Sequence, residues 1–95
     1  MFVKTLDELR ARGVEKVLCD GKARTVRFLN QADGLGFTMS DVRLAAGADT
    51  VLWYKNHWEA NLVISGTGTL TDLDDGRSWP MAPGMLNVVG PRDRH

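Results

Sequence analysis

The sequence predicts an all-β domain of the sandwich or barrel type behind one short helix. Three observations carry this. Short apolar segments recur from Val14 to Val89, with turns rich in Gly, Asp and Pro between them, the pattern of many short strands. Only the first dozen residues read as helix. The 95 residues hold one small domain with a single core, and no repeat, low-complexity stretch or linker divides residues 1–95.

The elements follow in order. Thr5 and Glu8 form a T-x-x-E capping box, and Gly13 stops the helix after Arg12, giving a helix over about 5–12. Strands then run from about 14 to 89. Val14 to Leu18 is short and apolar and is followed by the Asp20-Gly21 turn. Arg24 to Leu29 alternates basic and apolar residues. Gly34 and Gly36 punctuate the chain before Phe37 to Leu44 extends, and Ala45 to Gly47 turns. Asp49 to Tyr54, Glu59 to Ile64, Thr67 to Leu73, Arg77 to Met81 and Met85 to Val89 complete the set. D-L-D-D-G before Arg77 and P-G at Pro83-Gly84 read as hairpin turns.

Composition excludes several functions. Lys plus Arg and Asp plus Glu are twelve each, so no net field draws nucleic acid or an anionic membrane. No apolar run is long enough to cross a membrane, and the charged N-terminus is no signal peptide. The single cysteine, Cys19, cannot form an internal disulfide and fits a reducing cytoplasm. Gly66-Thr67-Gly68 lies between strands with no helix after it, so it is not a dinucleotide fingerprint. Asp72, Asp74 and Asp75 lack the calcium-loop spacing. Both read as turns.

One residue stands out. Glu59 places a carboxylate just inside a half-buried strand, which is costly unless something pairs with it. Alternation puts Glu59, Asn61, Val63 and Ser65 on one face, which can line a cavity. Trp58, Ala60, Leu62 and Ile64 form an apolar face that should pack against another sheet or subunit. Arg27 shares a face with Thr25 and is either a carboxylate's partner or a surface strand residue. Asn87 shares one with Met85 and Val89. His57 and His95 are the only histidines. Spacing alone favours ordinary surface histidines over a metal site.

A family resemblance adds to this. Gly47, Trp53, Lys55, Glu59 and Gly66 have the spacing of the first cupin motif, and Pro83-Gly84-Met85-Leu86-Asn87 resembles the start of the second. Cupin metal ligands are usually histidines at the positions of Trp53, Lys55 and Asn87 together with the glutamate, and only Glu59 is kept. A narrower match is better. Y-K-N-H-W-E-A, G-T-G-T-L-T-D-L-D-D-G, P-x-x-P-G and D-R-H resemble ectoine synthase, a cupin family. So do M-x-V-K-x-L-D-E-L-R and D-G-L-G-F near the start.

The resemblance implies a small cupin-type, jelly-roll-like β-barrel. The family continues for several strands past the position of His95, so missing C-terminal strands and open edges are expected. It also implies an activity: elimination of water from an N-acetyl-2,4-diaminobutyrate, closing a ring to give ectoine, a compatible solute used under osmotic stress. The implied cofactor is iron (Fe2+), held by Glu59, His95 and the position of Asn87, where the family has a tyrosine. Tyr54, His57 and Glu59 take catalytic roles. Arg27, Tyr54, His57 and Asp93 take substrate-side roles. Ala23 and Val42 stand where the family often has an aromatic residue and a substrate-contacting threonine, and Trp53 can fill the pocket. The implied partners are a small-molecule substrate and, from the apolar face and open edges, a second copy in a homodimer. The alternative is a non-catalytic cupin-like module that binds a small molecule or self-associates and has lost the metal site.

Overall fold

The computed structural model describes every residue from Met1 to His95. The chain divides into two compact units, Met1–Thr50 and Val51–His95. No helix is long and apolar enough to cross a membrane.

The first unit begins with helix α1, Leu6–Ala11. Both halves of the expected capping box form: Thr5 Oγ1 accepts from Glu8 N at 3.1 Å, and Glu8 Oε2 from Thr5 N at 3.4 Å. Gly13 takes the left-handed conformation (φ 74°) that ends the helix. Strands β1 (Lys16–Leu18), β2 (Ala23–Leu29) and β3 (Met39–Leu44) form one antiparallel sheet with β2 in the middle. The middle strand supplies Val26, which is 1% exposed, and Ala23; with Leu9 of α1 they are this unit's buried apolar residues. The register places Arg24 directly opposite Arg43. Glu15 bonds Arg24 at 3.1 Å and Asp41 bonds Arg43 at 3.3 Å, so each guanidinium has its own counter-charge. Strand β3 starts two residues later than expected, because the left-handed turns at Gly34 and Gly36 delay extension.

The second unit holds β4 (Glu59–Leu62), β5 (Gly68–Thr71), β6 (Ser78–Met81) and β7 (Leu86–Val89). Strand β5 pairs with β6 as a hairpin, and β4 pairs with β7 around it, both antiparallel. The D-L-D-D-G segment is the hairpin turn: Asp72 Oδ1 accepts from Asp74 N at 2.8 Å and from Asp75 N at 3.3 Å, closing an Asx turn. Pro83-Gly84 differs from expectation. It turns the chain but joins no hairpin, since β7 pairs with β4 and not with β6. Gly84 N donates to Val63 O and Val63 N to Met85 O, each at 2.9 Å. Turn residues specify a reversal, but not which strand the returning segment meets. Asp49 to Tyr54 also differs, for it is not a strand. Within it only Leu52 pairs with another backbone segment, exchanging both hydrogen bonds with His95; one such pair is not a ladder.

The architecture is all-β and cupin-like with one short helix, and its three sheets do not close into a barrel. The β4–β7 register aligns Glu59 with Val89, Asn61 with Asn87, Ala60 with Val88 and Leu62 with Leu86. One face of this pair therefore carries Glu59, Asn61 and Asn87, all partly buried, beside buried Val89. The other carries Trp58, Ala60, Leu62, Ile64, Leu86 and Val88. That apolar face is largely exposed, Trp58 at 72% and Ile64 at 75%.

Candidate functional site

The polar face of β4–β7 brings Glu59 together with two amides. Asn61 Nδ2 donates to Glu59 Oε1 at 2.8 Å and to Asn87 Oδ1 at 3.1 Å. Strand alternation sets Asn61 beside Glu59, and the register sets Asn87 opposite Asn61. A carboxylate beside a donor is partnered, so the cost of its partial burial is offset.

The C-terminal segment forms the second part. After β7, Gly90 to Asp93 turns: Asp93 N donates to Gly90 O at 3.0 Å, and Asp93 Oδ2 accepts from Gly90 N at 2.7 Å. Asp93 thus spends one carboxylate oxygen on shaping the turn before His95. Leu52 holds His95 by its backbone: Leu52 N donates to His95 O at 2.6 Å and His95 N to Leu52 O at 3.0 Å. Leu73 N donates to Arg94 O at 2.9 Å, and the Arg94 guanidinium bonds Asp74 through Nε at 3.2 Å and Nη2 at 3.0 Å. The hairpin tip thereby anchors the residue before His95. His95 Nδ1 lies 3.0 Å from Asp93 O. A carbonyl only accepts, so Nδ1 is the donor in this bond.

Tyr54 joins both histidines. Its ring stacks on His57 with centroids 4.9 Å apart, and lies 5.9 Å from the His95 ring. Trp53 does not fill the pocket. Its Nε1 donates to Pro91 O at 2.8 Å, its ring is 47% exposed, and Lys55 Nζ sits 4.4 Å from the ring centroid. A cavity of about 290 Å³ opens between β7, the β5–β6 hairpin and the C-terminal segment. Asn87, Asp93 and His95 stand in its wall with Leu70, Trp79, Met81 and Val89.

The structure therefore gathers the expected residues of the second unit into two groups, Glu59 with Asn87 and Tyr54 with His57 and His95. The cavity wall links Asn87 of the first group to His95 and Asp93. Arg27 lies on β2 in the first unit, exposed. Sequence reasoning placed Asn61 on the Glu59 face but gave it no role. It missed Leu52 altogether, since the contact that matters there is made by its backbone. Asn61 was within reach of the sequence, as an amide two residues from a carboxylate on one strand.

No three His, Cys, Asp or Glu side chains gather to hold a metal ion. Two oxygens, from Glu59 and Asn87, already converge on one partly positive nitrogen. The His95 imidazole stands in the other group, beside Tyr54.

The ectoine synthase family profile matches residues 1–95. The L-ectoine synthase of Oceanobacillus iheyensis is 33% identical over 95 residues, covering 100% of this chain and 73% of the relative. That of Sphingopyxis alaskensis is 38% identical over 95 residues, covering 100% of this chain and 68% of the relative. That of Shouchella clausii is 34% identical over 83 residues, or 87% of this chain and 62% of the relative. These likenesses do not favour a non-catalytic module.

Proposed function

The chain belongs to the ectoine synthase family, and we propose that it closes N-acetyl-2,4-diaminobutyrate into ectoine with loss of water. The family match over residues 1–95 carries this reading. In the reaction the free amine of the substrate attacks the acetyl carbonyl carbon and forms a C–N bond. The amine's two hydrogens pass to the carbonyl oxygen, which leaves as water, and a C=N bond remains.

The chain's residues take the roles that this chemistry needs. Glu59 offers a carboxylate to the attacking amine and accepts a proton. Tyr54 and His57, stacked on each other, carry protons toward the departing oxygen. Asp93, in the cavity wall, orients the substrate's ammonium end. Glu59 and His95, with Asn87 as a third and weaker donor, would hold iron(II), which would supply Lewis-acid polarisation of the acetyl carbonyl.

The working unit in this reading is a homodimer in the cytoplasm. The exposed apolar face of β4–β7 supports the dimer. The lone Cys19, free of any disulfide, supports the compartment.

The test is direct. The purified chain is incubated with the substrate, with and without added Fe2+, and product is followed by proton NMR. Ectoine should accumulate, faster with Fe2+, and added Fe2+ should raise the melting temperature. No ectoine under either condition would sink the reading. Product formation that is indifferent to Fe2+ would remove the metal from it.

A further inference from the structure

We propose that Asn61 is a positioning residue for Glu59, a role that rests on the functional reading above. The chemistry of the three groups leaves one arrangement. A carboxylate offers only acceptors, so Asn61 must turn its NH2 toward Glu59. The second hydrogen of that NH2 needs another acceptor, and the register places Asn87 across the strands to provide it. Asn87 must then present its carbonyl oxygen to Asn61. One NH2 group thus serves two oxygens, at 2.8 and 3.1 Å, and fastens the Glu59 side chain to the neighbouring strand.

The consequence concerns direction. A glutamate at the first residue of a strand has three side-chain torsions to settle. With Oε1 held by Asn61, those torsions are restricted, and with them the directions in which Oε2 can be presented. Both anchors sit on paired strands, so the clamp is built on rigid backbone. Asn61 touches Glu59 and Asn87 and acts through Glu59.

A double-mutant cycle tests this. Asn61→Val removes the donor at similar size, and Asn61→Asp keeps the shape but replaces the donor with an acceptor. Each should lower kcat about tenfold or more with KM little changed, the signature of a misaimed catalytic group. In a Glu59→Gln background, Asn61→Val should cost nothing further, because its effect runs through the carboxylate. Losses that multiply across the two sites, or an unchanged kcat in Asn61→Asp, overturn the proposal. Urea unfolding of the same proteins should show coupled midpoints. If the wild-type chain makes no product, the functional reading falls, and the clamp is judged by unfolding alone: additive shifts in midpoint then overturn it.

Discussion

Gly90 shows how one missing side chain shapes the end of β7. A β-carbon at this position would lie 2.7 Å from the Trp58 ring, well inside van der Waals contact. The ring lies over a bare backbone, and the turn shaped by Asp93 starts from that same residue. Trp58 is largely exposed and can swing away. Gly90→Ala should therefore cost about 1 kcal/mol and leave the fold intact. Urea unfolding checks the cost, and a shift in Trp58 fluorescence checks the displacement. Unchanged stability and fluorescence would mean that the ring does not rest there. Asn87 carries a similar lesson. Its side-chain oxygen accepts from Asn61. Asn87 itself was legible in the sequence; its pairing with Asn61 required the register.

Individual elements repeat the pattern. The capping box of α1 was legible because its signal is local, with Thr5 and Glu8 three residues apart. The Asp72–Gly76 turn was legible for the same reason. Failures came where an element depends on a distant partner. Asp49 to Tyr54 has strand-like composition and lacks a ladder, and the Pro83-Gly84 turn feeds a strand that returns to β4. Charge pairing between elements makes a measurable prediction. Glu15, just before β1, bonds Arg24 of β2 and Arg10 of α1, each at 3.1 Å. Arg24 foremost, then Arg10, holds its carboxyl below the ordinary carboxylate value. A folded-state value below the unfolded one stabilises above the unfolded pKa, and this is lost as pH falls through the folded value. Glu15→Gln should thus melt below the parent at neutral pH. The two melting temperatures should converge on acidification through the carboxylate range. The gap should also narrow in high salt, since the pair is partly exposed. A gap constant across pH would assign the loss to packing.

For the molecule as a whole, charge and surface apolarity point to different partners. Formal net charge is zero, which leaves nothing to draw a polyanion. Five exposed apolar side chains of the second unit share one face of β4–β7, where Trp58, Leu62 and Ile64 stand beside Leu86 and Val88. A second copy is the proposed cover. Light scattering should give twice the chain mass for the parent and the single-chain mass for Leu62→Glu/Ile64→Glu. A parent that is monomeric at all concentrations ends that part of the reading.

What residue order alone determined was what neighbours in sequence determine. It yielded the strand-rich class, the helix and its cap, the tight turns, the alternation that puts Glu59 and Asn61 on one face, and the motifs of a family. These depend on backbone torsions and on the two-residue period of a strand, both set within a few residues. Which strands pair was decided elsewhere. The return of β7 to β4, the Asn61–Asn87 bond and the backbone grip of Leu52 on His95 join residues 24 to 43 positions apart. Hydrogen bonds over such spans form only when the folded chain has met the entropy of closing the loop, and no local pattern of residues announces which partner will be met.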